Sequence, residues 1–181
     1  MEASTGKGRG STTLAVGIVA AVLLVVGIIG SVVYGVRGAG DNLTTNALTS
    51  NNGDPLISDT ETAKAVGVAD QFCLRMDNVD GSDPDGYVKK VEQLLTTKQK
   101  TKFASEFAQF QKLGMDANLK GTGTILASGV SDIDPDSATV LVAHDSAVVD
   151  KDGTTQRHYR WSVSLRKVDG RWLVDDFTPV S

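Results

Sequence analysis

The stretch Arg157 to Phe177, RHYRWSVSLRKVDGRWLVDDF, carries a two-residue period. Tyr159, Trp161, Val163 and Leu165 form an apolar set that alternates with His158, Arg160, Ser162 and Ser164, as a strand with one buried face requires. Asp169-Gly170 interrupts the pattern and fits a two-residue hairpin turn in which Gly supplies positive φ, after which Arg171 to Phe177 returns as the next strand. Upstream, Gly121 to Val130 and Ala138 to Val149 read as two more strands, separated by Asp134-Pro135-Asp136 and followed by Asp152-Gly153. Loops this short make the four strands antiparallel neighbours.

Before Lys120 the period is helical. Ser58 is placed as an N-cap with Glu61 as its capping-box partner, and Val66, Ala69, Cys73 and Met76 follow on one face. Asp83-Pro84 reads as the N-cap and first residue of a second helix carrying Val88, Val91, Leu94 and Leu95. Thr96 with Gln99 opens a third, whose stripe is Phe103, Phe107, Phe110 and Leu113. Helices followed by an antiparallel meander predict an α+β domain in which three helices cover one face of a curved four-stranded sheet.

Leu14 to Val36 is uncharged, and at about 1.5 Å per residue a helix of that length spans roughly 35 Å, enough to cross a bilayer core. Gly27 and Ser31 give it a weak small-xxx-small spacing. Lys7 and Arg9 precede it and only Arg37 follows closely, which places the amino terminus on the cytoplasmic side. A cleaved signal peptide is the rival, but its apolar region is ordinarily about 7 to 15 residues. Either reading exports the domain. The predicted organisation is a cytoplasmic tail over 1–13, a membrane helix over 14–36, a Gly/Asn/Thr/Ser-rich stalk over 37–57 and an extracytoplasmic domain over 58–181.

A formal charge of −4 with no basic cluster argues against nucleic acid. The single cysteine, Cys73, excludes an intramolecular disulfide, lies on the apolar stripe of the first helix and reads as a small core residue. The acids of Asp77 to Asp85 miss the spacing of a calcium loop and read as a solvated turn. His144 and Asp145 fall on opposite strand faces and form no dyad, and His158 shares an exposed face with Arg160. No catalytic, metal or cofactor residue stands out, and the chain is read as a non-enzyme. The candidate pocket or interface residues are Phe103, Phe107, Phe110, Tyr159, Trp161 and Trp172, which read first as core and second as the border of a lipid-accepting cavity.

The closing residues Tyr159-Arg160-Trp161-Ser162-Val163, Val168-Asp169-Gly170-Arg171-Trp172-Leu173-Val174-Asp175-Asp176-Phe177 and Thr178-Pro179-Val180 resemble the Mce-associated membrane proteins of actinobacteria. In organisation the likeness covers the whole chain, and its specific part is these last strands. It implies an NTF2-like domain on a single membrane helix, acting as an accessory subunit beside an Mce-type lipid import transporter in the cell envelope. The same architecture is similar to the periplasmic scaffold subunit of type IV secretion systems. An NTF2-like domain that binds a small lipid, or a pocket enzyme, is the third alternative. No catalytic residue transfers from either resemblance.

Overall fold

The computed structural model describes residues 57–112 and 116–180. Helix α1 (Asp59–Asp77) starts where Ser58 accepts the Glu61 N–H through its hydroxyl at 3.2 Å. Only half of the expected capping box forms, because the Glu61 carboxylate turns away from the helix start. It accepts from Lys64 at 2.8 Å, from Lys167 at 2.5 Å and from the Trp172 indole N–H at 3.2 Å. Helix α2 (Pro84–Glu92) has Asp83 as N-cap, its carboxylate accepting from the Gly86 N–H at 3.0 Å, with Pro84 at the first turn as the sequence predicts. Helix α3 (Thr97–Lys112) buries Phe103, Phe107 and Phe110, while Leu113 lies outside the described residues.

Strands β1 (Lys120–Ile133), β2 (Ser137–Asp150), β3 (Gly153–Val168) and β4 (Arg171–Pro179) form one antiparallel sheet in chain order. The meander is the one read from alternation, with each strand longer than its predicted core. Val168 pairs with Arg171, and Asp169 and Gly170 both take positive φ, 49° and 75°, the mirror-image turn that matches strand twist. Ala138, Val140, Val142, His144, Ser146 and Val148 face inward along β2, and Trp161, Val163 and Leu165 do so along β3. The domain is α+β: three helices on one face of a four-stranded antiparallel sheet, the other face uncovered by any described element.

Two expectations are corrected. The second helix ends at Glu92, so Leu94 and Leu95 lie in a tight turn beyond it, where Leu95 bridges Val174 in parallel and the Thr96 N–H donates to the Val174 carbonyl at 2.9 Å. Asp77 belongs to no solvated turn; it is the last residue of α1 and is buried. The rest of that acidic stretch behaves as a turn: Asp80 accepts from Ser82 and pairs with Lys120. Among the described residues no helix is long and apolar enough to cross a membrane, and the span expected at Leu14 to Val36 lies outside them.

Glu61 ties the first turn of the domain to its last hairpin, and the lysines, Lys167 first, hold its carboxyl down at about 2 from an ordinary 4.5. A depressed carboxyl contributes stability above its unfolded value and loses it as the pH falls toward the folded one. Urea titrations from pH 5 to pH 2 are therefore expected to show a steeper acid-limb loss in the wild type than in Glu61→Gln, which keeps only the share of other depressed carboxyls such as Asp80. Parallel curves for the two proteins would refute the role given to Glu61.

Candidate functional site

The polar group most deeply set in the sheet is His144, at 0% exposure. Its Nδ1 lies 2.7 Å from Oδ2 of Asp77, whose side chain is equally inaccessible, so the C-terminal turn of α1 is joined to the centre of β2 by a buried pair. Such close approach of helix to sheet is sterically selective. A Cβ on Gly123 would sit 2.7 Å from Cβ and Oδ2 of Asp77, and one on Gly121 would sit 2.1 Å from the Asp77 carbonyl oxygen. The β1 backbone also bonds the exit of the helix: Gly121 N–H to the Val79 carbonyl at 2.8 Å and Gly123 N–H to Oδ1 of Asn78 at 3.0 Å.

Aromatic rings wall the imidazole. Trp161 meets it edge-on at 4.8 Å between centroids and Tyr159 lies at 5.3 Å. Trp161 also packs on Phe177 at 5.1 Å and on Phe72 at 6.2 Å. Ser146 is buried one pleat further along the same face of β2. With Nδ1–H directed to the carboxylate, Nε2 is the basic nitrogen, the arrangement of a general base, yet no solvent reaches it. Burial pushes the Asp77 carboxyl up, opposed by the hydrogen bond from His144. Burial also raises the Cys73 thiol, assisted by the Asp77 and Asp70 charges, which leaves it an unreactive core group as its place on the stripe predicts.

The six residues singled out in the sequence separate into three places. Phe103, Phe107 and Phe110 form one ring cluster with Tyr87, centroids 5.3 to 6.3 Å apart, between α2 and α3. Tyr159 and Trp161 belong to the His144 cluster. Trp172 stands apart under Lys167, whose Nζ is 5.3 Å from the indole centroid. All except the half-buried Tyr159 are core residues, and no ring pair links the phenylalanine stripe to either tryptophan among the described residues. His144 and Asp145 do point to opposite faces, and each has another partner. Asp145 takes exposed His158 across the strand pair at 2.8 Å, while His144 takes Asp77. The second pairing was not read from the sequence, although Asp77 lies four residues beyond Cys73 on the buried stripe of α1 and faces a Gly-x-Gly in β1.

No protein-family model matches the chain. Two uncharacterized proteins of Mycobacterium tuberculosis, Rv1362c and MT1407, are each 43% identical to it over 65 residues; the match takes in 35% of this chain and 30% of each relative, so it spans less than a third of the relatives' length. Among solved structures, an IcmL-like type IV secretion system protein from Legionella pneumophila aligns with a TM-score of 0.57 at 10% identity, over 71% of this chain and 96% of that one. The periplasmic domain of DotI aligns at 0.57 and 12% identity, over 71% and 99%. CagV, a VirB8 homolog from Helicobacter pylori, aligns at 0.52 and 6% identity, over 65% and 98%. These likenesses establish the fold that the chain shares with such domains.

Replacing Asp77 separates the shape of the buried pair from its charge. Asp77→Ala strands the imidazole Nδ1 and leaves a void, with an expected loss of about 3 kcal/mol. Asp77→Asn retains an acceptor and is expected to cost about 1 kcal/mol or less. Because the native carboxyl is raised, the folded state binds that proton more tightly than the unfolded chain, and the wild type loses stability as the pH climbs from the ordinary carboxylate value through the raised one. Asp77→Asn should therefore gain on the wild type with rising pH in a urea series. An equal effect of both substitutions at every pH would refute the reading.

Proposed function

We propose that this chain is a non-enzymatic accessory subunit, anchored by the segment Leu14 to Val36 with its NTF2-like domain outside the cytoplasm, and that it stabilises an Mce-type lipid import complex of the cell envelope. The observation that carries the non-enzymatic part is the closure of the one buried acid–base pair among the described residues: His144 is sealed by Trp161 and Tyr159, with Asp77 filling its other side. A general base must come within hydrogen-bond reach of a substrate proton, and this one is walled by core. The Mce assignment rests on the resemblance of the last strands.

A second reading is favoured by a specific observation. The solved domains of like fold include an IcmL-like type IV secretion system protein, the periplasmic domain of DotI and a VirB8 homolog, all aligned nearly end to end. On that reading the chain is a scaffold subunit of a secretion or conjugation complex. Both readings place function on the surface of the domain, and neither requires a cofactor.

The two part at the level of partners. Gentle solubilisation of the tagged full-length chain from its native membrane, followed by mass spectrometry, is expected to recover Mce subunits. Recovery of secretion or conjugation subunits instead would replace the first reading by the second. A saturable, fatty-acid- or sterol-dependent quench of Trp161 or Trp172 fluorescence would favour ligand binding over both.

A further inference from the structure

The face of the sheet turned away from the helices carries apolar groups that the fold does not use. Leu141 and Val180 are each 45% exposed there, and Leu126, at the irregularity between Ile125 and Ala127 on the edge strand, is 53% exposed. Between Leu141 and Val180 the small residues Ala127, Gly129 and Ala143 leave an open hollow of about 390 Å³. Across the strands from Leu141 stand Ser162 and Thr178, hydroxyls rather than charges. The ionised groups beside the patch are already engaged within the chain: Arg160 donates to the Tyr159 carbonyl at 2.7 Å, and Asp145 holds His158 at 2.8 Å. Protruding aliphatic side chains set among hydroxyls, with little free charge to desolvate, suit the boundary between lipid headgroups and acyl chains.

We propose that this outer face docks on the bilayer that anchors the chain, with Leu126, Leu141 and Val180 entering the headgroup layer and lipid filling the hollow beside Leu141. The docking rests on the anchored reading of Leu14 to Val36 and does not depend on which complex the chain serves. A lipid surface is favoured over other occupants by the chain that joins domain to anchor. Fully extended, residues 37 to 57 reach at most about 70 Å, so the domain stays within a thin layer above the membrane. In such a layer the tether holds the patch at an effective concentration on the order of millimolar relative to the lipid surface. Shallow insertion of a few aliphatic side chains is then sufficient, where an untethered domain needs a lipid anchor or a larger apolar face. The helical side is the rival orientation, since Lys89, Lys90 and Lys98 are exposed there and anionic headgroups attract cations. Docking through the helices turns the sheet away from the bilayer, so the two orientations exclude each other.

Cys73 is the sole cysteine and is buried, so a thiol-reactive fluorophore reports only from an introduced cysteine. The full-length protein is reconstituted into liposomes of phosphatidylcholine and phosphatidylglycerol. A nitrobenzoxadiazole label on Val180→Cys is expected to emit further to the blue than one on Gln71→Cys of α1, and to be quenched by phosphatidylcholine spin-labelled near the carbonyl end of its acyl chain. Labels on Gln71→Cys and on Lys98→Cys of α3, both exposed positions, are expected to escape quenching. Adding Leu126→Asp and Leu141→Asp should lower the quenching at Val180→Cys about tenfold or more, with circular dichroism unchanged. A blue shift without quenching means that a protein covers the patch and overturns the proposal, as does quenching at Lys98→Cys in place of Val180→Cys. Washing with alkaline carbonate separates the two levels. A chain released from the liposomes refutes the anchor and the docking with it, whereas a retained chain with an unquenched Val180→Cys label refutes the docking alone.

Discussion

The contact between Asp77 and His144 sets the distance between the helical layer and the sheet. An imidazole at the centre of β2 has no solvent to bond, and a buried polar nitrogen without a partner costs about 1–3 kcal/mol. The partner can only come from the layer above, and α1 supplies it at its last residue, where the helix must in any case end and its carbonyls find new donors. The Met76 carbonyl takes the Tyr87 hydroxyl and the Asp77 carbonyl takes the Val79 N–H, while Gly121 and Gly123 of β1 donate to Val79 and to the Asn78 side chain just past the helix. Each piece constrains the others: a side chain at either glycine would lift the helix off the strand, and a lifted helix would leave both His144 and Asp77 without their bond. A buried pair of this kind adds little net stability, since desolvation offsets most of the attraction, but it admits only one docking of α1 on the sheet.

The opposite end of α1 is fixed by a different chemistry. Glu61 has left the capping role for a bridge to Lys167 and Trp172, which lie on either side of the β3–β4 turn. The same hairpin is held from below by the parallel bridge between Leu95 and Val174 and by the bond from Thr96 to Asp175 at 2.9 Å. The closing residues that carry the family resemblance are thus structural joints: Trp161 walls the histidine, Trp172 is bonded to the first turn of the domain, and Phe177 packs between Phe72 and Trp161. Their residue types are explained by packing before any partner is invoked.

Much of this was legible in the chain because it rests on local pattern. Alternation located all four strands, the Asp169-Gly170 turn followed from the need for positive φ, and Ser58 and Asp83 marked helix starts through the bonds that a short oxygen-bearing side chain makes. What depended on distance along the chain was not legible. Asp77 and His144 are 67 residues apart, and a run of aspartates resembles a loop until the helix is known to persist to its end. Strand parity correctly separated His144 from Asp145, yet parity shows only which face a residue takes and nothing of what lies opposite. The same limit applies to the aromatic residues, since helical spacing gathered Phe103, Phe107 and Phe110 but could not reveal that Tyr87 completes their cluster.

A cone filled in this way directs attention to its surface. To present Nε2 of His144 to another molecule, the Trp161 or Tyr159 ring would have to leave its packing, and Trp161 contacts Phe72 and Phe177 as well. Moving it would open the junction between α1, β3 and β4 that holds the domain together, a cost approaching that of local unfolding. The outer sheet face carries no such burden, because nothing in the described fold requires Leu141 or Val180 to be apolar there. Exposed apolar groups around small residues are costly in water unless something covers them. The inner face therefore answers to the fold, and the outer face is where the sequence is free to answer to a partner.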